Sequence, residues 1–361
     1  MVDIAWKGAR TLERASRSRD EIRRQNRVSI LEYLRVNGPC PRTDIAQRVH
    51  LTKAAVTALT NDMIAGGELV EKGELLSREL LHQRGRRKVL LDINENCRLA
   101  FGIVVEGESL QVGLTNLKGQ TLDRLELPLE SCTYRRILEL VVENVTMLTR
   151  NNCIPAEQIL GMGCCLSRSG ETHVEGASPA DKLVRLKRDL SHALSMPIVI
   201  ASTIGGALLA QKLFGDGASQ NMMMIRYGKQ IEAALTVNGR IYRGFSNRAG
   251  GFTSMQQMPE GTSYDLCAGS DGMEDGSNLQ LNRKLAKDVG LCRTVLDPER
   301  IYGFGSYFET EFALPGVNRL LEEHQPQRVL LERSLITEAT AYLAGCAAAI
   351  EELFYCTPVN E

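Results

Sequence analysis

Residues 41–69 contain two short helical patterns separated by a break, and this stretch constrains the fold more than any other. In the first pattern Ile45 and Val49 share one helical face, and Thr52 is a suitable N-cap for the second pattern. The second pattern has an apolar stripe (Ala55, Val56, Leu59, Met63), an opposite polar face (Lys53, Thr57, Thr60) and two terminating glycines (Gly66, Gly67). Two such helices are typical of a helix-turn-helix, whose second helix contacts base edges in the major groove of DNA. A helical hairpin in an all-α core is the alternative.

The flanking segments supply the other parts of a winged helix. Residues 27–37 form a helical pattern with Ile30, Leu31 and Leu34 on the inner face, and Gly38-Pro39 ends it. Residues 68–94 contain two strand patterns joined by a basic loop, whose arginines are Arg84, Arg86 and Arg87. Guanidinium groups at the tip of a wing can lie along phosphates or enter a minor groove. A charged hairpin tip that only increases solubility is the alternative.

The charge is divided unevenly along the chain. Residues 1–90 contain 18 lysines and arginines against 11 aspartates and glutamates, whereas the remaining residues contain 25 against 33. A basic N-terminal part followed by an acidic remainder favours an N-terminal domain that binds a polyanion and a following domain that does not. The first 23 residues form an arginine-rich arm. Two interpretations remain: the arm is solvated without a specific role, or it contacts phosphates.

The cysteines and the apolar runs indicate a soluble cytoplasmic protein. The chain has ten cysteines and no CxxC pair, which is typical of reduced thiols in the cytosol, and Cys164 and Cys165 lie in an apolar run that predicts a core position. Charges interrupt the first 26 residues throughout, so no signal-peptide core is expected. The longest weakly polar run, residues 198–210, is too short to span a bilayer.

From residue 99 onward the pattern changes to that of an α/β domain. Three alternating or apolar runs form a β-meander, and helical and strand patterns then follow one another at residues 134–149, 159–166, 180–194, 198–201 and 205–213. A second run of the same kind begins at Met222, with a hairpin turn at Asn238-Gly239 and a core role for Met222, Met223 and Met224. Residues 258–278 predict an irregular loop, and residues 336–354 predict a final helix.

Seven segments in this order resemble the ROK family of repressors, open reading frames and kinases. They are GRRKVLLDIN, FGIVVEGESLQVGLTNLKG, ILGMGCC, MPIVIASTIGGALLAQKLFG, LTVNGRIYRGFSNRAGG, LDPERIYGFG and TEATAYLAGCAAAIEELF. The resemblance implies an α/β fold in which an N-terminal winged helix-turn-helix precedes a two-lobed, actin-like ATPase (ROK sugar-kinase-like) domain. The expected domains are a basic arm (1–23), the winged helix (24–94) and the ROK-like domain (95–361). Its first lobe would cover about 95–213 with the C-terminal helix 336–354, and its second lobe about 214–335.

The departures from the family pattern argue against an enzyme. The kinases of the family resemble ENDAN where this chain has residues 201–205, so Thr203 stands at the position of the catalytic aspartate and cannot act as a general base. Val104 stands at the position of the phosphate-loop aspartate, and residues 228–232 replace a glycine-rich phosphate turn with bulkier side chains that include Glu232. We therefore expect no phosphoryl transfer.

The ligand sites of the family are also altered. Ser254 stands at the position of the zinc-binding histidine, and Cys267 is the one cysteine left of the metal-binding run, so no metal and no cofactor are expected. Gly251 replaces a sugar-contact glutamate and Ser202 an asparagine, whereas Glu274 corresponds to a remaining sugar-contact glutamate or is an exposed loop residue. The candidate effector-binding residues are therefore Ser202, Thr203 and Glu274.

The leading hypothesis is a DNA-binding transcription regulator, with repression as the expected mode. The predicted DNA-binding residues are Thr43, Thr52, Lys53, Thr57, Arg84, Arg86 and Arg87. The expected partners are a double-stranded operator, further copies of the chain in a homodimer or higher homo-oligomer, and a carbohydrate-like effector. The alternatives are a sugar kinase with an appended DNA-binding head and a scaffold without a ligand.

Overall fold

The computed structural model describes residues 3–74, 88–129, 133–166, 179–215, 219–227, 231–245, 249, 276–324 and 329–356. The chain forms two compact units. The first unit combines residues 1–98 with residues 350–361, and the second comprises residues 99–349.

The first unit is built from three helices and a small antiparallel sheet. The helices are α1 (Asp3–Asn37), α2 (Arg42–Arg48) and α3 (Lys53–Ala65), and the strands are β1 (Cys40–Pro41), β2 (Leu69–Glu74) and β3 (Val89–Ile93). The strands lie in the order β1-β3-β2. This confirms the predicted pair of helices and the two strands after them. Helix α1 begins well before residue 27 and includes the arginine-rich segment, for which the sequence pattern predicted no helix.

Local chemistry explains where α3 begins and ends. The Thr52 hydroxyl oxygen accepts a hydrogen bond from the backbone N–H of Ala55 at 3.2 Å, which makes Thr52 the N-cap. Gly66 is the C-cap, and Gly67 follows it with a φ of 76°, a backbone conformation that favours glycine. On the buried side of α3, Val56 is 0% exposed and Met63 is 4% exposed.

The second unit contains two five-stranded sheets with the same plan. The first has the order β6-β5-β4-β7-β8 and the second β11-β10-β9-β12-β13, and in each sheet three antiparallel strands are followed by parallel pairs. The strands are β4 (Leu99–Glu106), β5 (Ser109–Asn116), β6 (Thr121–Pro128), β7 (Ile159–Leu166), β8 (Ile198–Ser202), β9 (Met222–Tyr227), β10 (Ile231–Val237), β11 (Arg240–Ile241), β12 (Arg300–Phe304) and β13 (Leu331–Arg333). The predicted second run of the same kind is thus confirmed.

The helices of this unit cover the sheets. They are α4 (Tyr134–Asn151), α5 (Pro179–Leu194), α6 (Thr203–Phe214), α7 (Gly276–Leu296), α8 (Ser306–Glu309), α9 (Ala313–His324) and α10 (Tyr342–Ile350), and a π-helical C-terminal turn (Glu351–Tyr355) follows α10. Residues of α4 and α5 share a core with the first sheet, and residues of α7 and α9 share a core with the second. Cys164, Cys165 and the methionines at 222–224 are buried as predicted.

Three predictions about elements need correction. The prediction of an irregular loop at 258–278 is wrong for its last three residues, because α7 begins at Gly276, and residues 258–275 lie outside the described residues. Helices α8 and α9 were not predicted, because α8 has only four residues and no side-chain cap, and α9 carries Pro315 and Gly316 near its start. The final helix begins later than residue 336, because residues Glu338–Thr340 form a separate 3-10 turn before α10.

Candidate nucleic-acid interface

The exposed face of α3 carries a row of polar side chains separated by small ones. Lys53, Thr57 and Asn61 follow one another at intervals of four residues and are exposed, and Ala54 and Ala58 beside them are exposed as well. Short side chains between polar ones allow a helix to approach the floor of a groove closely. Side chains of this chemistry can contact base edges in a major groove.

Thr60 does not belong to this face, and the prediction that it is exposed beside Lys53 and Thr57 was wrong. Its side chain is 0% exposed, and its hydroxyl donates to the Val56 carbonyl oxygen at 2.8 Å. Asn61 takes its place on the exposed face. Its spacing of four residues from Thr57 was a signal that could have identified it.

The predicted DNA-binding residues differ in their local contacts. Thr52 caps α3, Lys53 is exposed, and the exposed Thr57 donates its hydroxyl to the Lys53 carbonyl oxygen at 2.8 Å. Thr43 is half-buried in α2 and donates to a carboxylate oxygen of Asp44 at 2.8 Å. The three wing arginines, Arg84, Arg86 and Arg87, lie outside the described residues.

Arg42, at the start of α2, contacts both helix α3 and strand β2 of the wing. Its Nε donates to the Thr60 hydroxyl oxygen at 3.0 Å, and its Nη2 donates to the Asn61 side-chain oxygen at 3.2 Å. The same Nη2 lies 3.5 Å from a carboxylate oxygen of Glu71 in β2. One guanidinium therefore contacts both α3 and β2. The sequence pattern gave no indication of this role.

Two further ion pairs, both largely exposed, connect elements of the winged helix. Arg23 of α1 contacts the carboxylate of Asp62, on α3, and Lys88 lies 3.8 Å from a carboxylate oxygen of Asp44, on α2. Asp62 is therefore neutralised on the edge of α3, which reduces its repulsion of a phosphate backbone.

Comparison with known proteins agrees with this geometry. Residues 23–67 match the family model described as winged helix-turn-helix DNA-binding. The chain is 27% identical over 238 residues to a putative xylose repressor from Caldicellulosiruptor sp. (strain Rt8B.4), covering 63% of this chain and 58% of the relative. It thus spans less than three fifths of the length of that relative.

Solved structures extend the comparison to the second unit. A crystal structure of a ROK family transcriptional regulator, a homolog of the E. coli MLC protein, matches with a TM-score of 0.71 at 17% identity, covering 92% of this chain and 97% of that chain. The chain with the sequence printed above therefore has the fold of a winged helix-turn-helix followed by a ROK sugar-kinase-like domain. The ROK hexokinase from Thermus thermophilus matches less well, with a TM-score of 0.53 at 16% identity over 70% of this chain and 97% of that chain.

In the ROK-like unit, the candidate effector residues have local structural contacts. The Ser202 hydroxyl oxygen accepts from the backbone N–H of Gly205 at 3.2 Å and caps α6. Thr203 is 2% exposed, and among the described residues its hydroxyl has no hydrogen-bond partner. Glu274, Ser254 and Cys267 lie outside the described residues. Within the part of the chain that the structure describes, no three histidine, cysteine, aspartate or glutamate side chains are arranged to hold a metal ion.

A partly buried arginine connects the two sheets of the ROK-like unit. Arg226 of β9 is 12% exposed, contacts the carboxylate of Glu106 at the end of β4, and lies 3.3 Å from Glu338 and 4.0 Å from Glu232. Its guanidinium carbon lies 5.3 Å from the ring centroid of Phe304. Burial raises the pKa of Glu106, and the positive charge of Arg226 opposes this rise. Glu232, which was expected to repel phosphate, is thus part of an internal charge cluster.

None of the helices that the structure describes combines the length and the apolar character needed to cross a membrane.

Proposed function

We propose that the protein is a DNA-binding transcriptional repressor whose ROK-like unit is not catalytic. The observation that carries this proposal is the exposed face of α3, in which Lys53, Thr57 and Asn61 lie opposite a buried apolar side. The match of residues 23–67 to a winged helix-turn-helix model supports it. The names of relatives, among them xylose repressors, favour repression over activation.

In this proposal α3 lies in the major groove of an operator. Lys53, Thr57 and Asn61 contact base edges, and Thr43 and Thr52 contact phosphates from the start of the two helices. The wing arginines Arg84, Arg86 and Arg87 contact phosphates beside the groove. Because a single winged helix covers only a half-site, we propose that the protein acts as a homodimer on a two-fold operator.

The proposed site of action is the cytoplasm, and the proposed signal is a carbohydrate-like effector in the ROK-like unit. The fold of that unit is shared with a ROK family protein solved in complex with sucrose. Thermal unfolding with a panel of sugars and sugar phosphates tests this part. A ligand that binds only the folded protein must raise the midpoint.

We propose that no phosphoryl transfer occurs. Thr203, which the family resemblance aligns with the kinase base, has no group that titrates near neutral pH and is 2% exposed. Val104 is likewise 2% exposed and offers no ligand to Mg²⁺. The one observation that supports the alternative, a sugar kinase with a DNA-binding domain, is the fold that the second unit shares with a ROK hexokinase. Coupled ATP turnover with hexoses and amino sugars separates the two, since measurable turnover by the purified protein would support the kinase.

The DNA-binding proposal is tested by selecting duplexes from fragmented genomic DNA and measuring their affinity at several salt concentrations. Arg86→Ala should weaken binding to all duplexes and reduce the salt slope by about 1, because it removes one phosphate contact. Lys53→Ala should instead change the sequence preference. Lys187→Ala, which removes an exposed charge from α5, is the control and should alter neither property. If Lys53→Ala and Arg86→Ala behave alike across sequences, the assignment of their roles is wrong.

A further inference from the structure

The hydrogen bonds of Arg42 restrict the chemistry that Asn61 can present to a ligand. The Arg42 guanidinium donates to the side-chain oxygen of Asn61 at 3.2 Å and to the Thr60 hydroxyl oxygen at 3.0 Å. An arginine has five N–H donors and no acceptor, so the side chain of Asn61 must turn its oxygen, and not its NH₂ group, toward Arg42. The orientation of this amide therefore follows from the chemistry of its partner.

Arg42 is itself held in position from the other side. Its Nη2 lies 3.5 Å from the Glu71 carboxylate in β2, and its side chain is 25% exposed. The Thr60 hydroxyl that accepts from Arg42 is buried and donates onward to the Val56 carbonyl oxygen at 2.8 Å. Arg42 is thus fixed by contacts on both α3 and the wing strand.

Asn61 is exposed, and because its oxygen is turned toward Arg42, its NH₂ group lies on the opposite side of the amide, where it can donate to a ligand. An asparagine that contacts adenine in the usual bidentate way needs both its oxygen and its NH₂ group, because adenine presents an acceptor and a donor side by side. Guanine presents two acceptors, N7 and O6, which suit two N–H donors on one nitrogen. The adenine N6 amino group would instead face a second donor.

We propose that Arg42 is a positioning residue that holds the Asn61 amide with its oxygen toward Arg42 and its NH₂ group toward the base, so that Asn61 selects guanine over adenine at one base pair of each half-site. This inference rests on the proposed function, since it requires α3 to lie in the major groove. Thr57 lies one turn before Asn61 on the same face, and Ala58 between them leaves room for close approach to the base.

The test is in vitro selection from random duplexes with the full chain, comparing wild type with Asn61→Ala, Arg42→Met and the double variant. Wild type should select guanine at one position, and Asn61→Ala should lose that preference by about tenfold while the other positions stay unchanged. Arg42→Met keeps the aliphatic stem but removes every donor, so the amide can rotate and adenine should gain at that position. The double variant should give the same profile as Asn61→Ala, because Arg42 acts through Asn61.

Two further variants separate positioning from general damage to the fold. Arg42→Lys retains a donor for the Asn61 oxygen and should keep the guanine preference. Glu71→Gln removes the ion pair and leaves the hydrogen bond to Asn61, so it too should keep that preference. Asn61→Ala changes an exposed side chain and should fold. The base preference that it loses therefore identifies the contacted base even if Arg42→Met does not fold.

The outcomes distinguish this inference from the proposed function. If wild type binds no duplex, the proposed function fails. If wild type selects a motif that Asn61→Ala selects unchanged, or if Asn61→Ala loses adenine rather than guanine, the inference is overturned and DNA binding stands. An unchanged base preference in folded Arg42→Met would overturn the positioning role.

Discussion

The guanidinium of Arg27 in α1 lies 5.2 Å from the ring centroid of Phe354 in the C-terminal turn and donates to the Phe354 carbonyl oxygen at 3.1 Å. Its Nε and Nη2 donate to the two carboxylate oxygens of Glu68, each at 2.8 Å. Phe354 and Tyr355 are buried, and residues from 350 onward belong to the same compact unit as the winged helix. Phe354 and Tyr355 are therefore a structural part of the unit that contains the winged helix.

Replacing Arg27 should destabilise this unit. Arg27→Ala removes a bidentate, half-buried ion pair and the contact with Phe354, so we expect the free energy of unfolding to fall by about 2 kcal/mol in urea titrations. Arg24→Ala, an exposed position on the same helix, should change it by less than about 0.5 kcal/mol. Equal effects of the two substitutions would show that the bridge contributes nothing.

A methyl group at Gly163 should disrupt the ROK-like unit. A Cβ atom there would lie 1.9 Å from the carbonyl oxygen of Gly345 in α10, and a backbone atom cannot move away without shifting the helix. We expect Gly163→Ala to lower the free energy of unfolding by about 3 kcal/mol or more. Gly290→Ala in α7 is the matched control, because its Cβ would meet its nearest neighbour at 3.8 Å. The added helix propensity there should stabilise by about 0.5–1 kcal/mol, a difference of sign that thermal unfolding can detect.

Arg226→Met should destabilise the protein in a pH-dependent way. The substitution leaves Glu106 and its neighbouring carboxylates without their cation, which should remove about 3 kcal/mol of stability at pH 7.5. Burial already raises the pKa of Glu106, and losing Arg226 should raise it further. An ionised group with a raised pKa costs stability, and this cost disappears as the pH falls through the raised pKa.

The loss caused by Arg226→Met should therefore be smaller at pH 5 than at pH 7.5. Arg300→Met on β12 is the control, because Arg300 lies 3.4 Å from Glu332 in a more exposed pair. Its loss should stay below about 1 kcal/mol and change little with pH. Denaturant unfolding at both pH values measures the difference, and a loss for Arg226→Met that does not vary with pH would contradict the assigned role of Glu106.

Substitutions at Thr52 should separate capping from DNA contact. Thr52→Ala removes the acceptor for the Ala55 N–H and should lower stability by about 1 kcal/mol. Thr52→Asp keeps an N-cap acceptor and places a negative charge at the helix N-terminus, so stability should be preserved. If Thr52 lies against phosphate, Thr52→Asp should nevertheless weaken duplex binding more than Thr52→Ala. The reverse order in a fluorescence anisotropy titration would place Thr52 away from the DNA.

Much of the local structure was predictable because short-range chemistry controls it. The strand Ile159–Leu166 and the hairpin turn at Asn238 and Gly239, both with positive φ, occur where the pattern of residues indicated them. Helix α9 was missed because Pro315 and Gly316, two residues of low helix propensity, stand near its start. The place of Thr60 was also wrong, since its side chain is satisfied by Arg42, a partner 18 residues away that helical periodicity does not include.

Periodicity, caps, turn residues and the division of charge were sufficient to indicate a basic winged helix followed by a repeated α/β unit, because each depends on neighbours in the chain. The orientation of Asn61 and the charge cluster around Arg226 were decided by tertiary structure. Arg226 and Glu338 lie 112 residues apart, yet they meet because the two sheets bring β9 close to the segment before α10. Such contacts form only when segments far apart in the sequence pack around a common core. A local pattern of residue types does not indicate which polar groups will then meet.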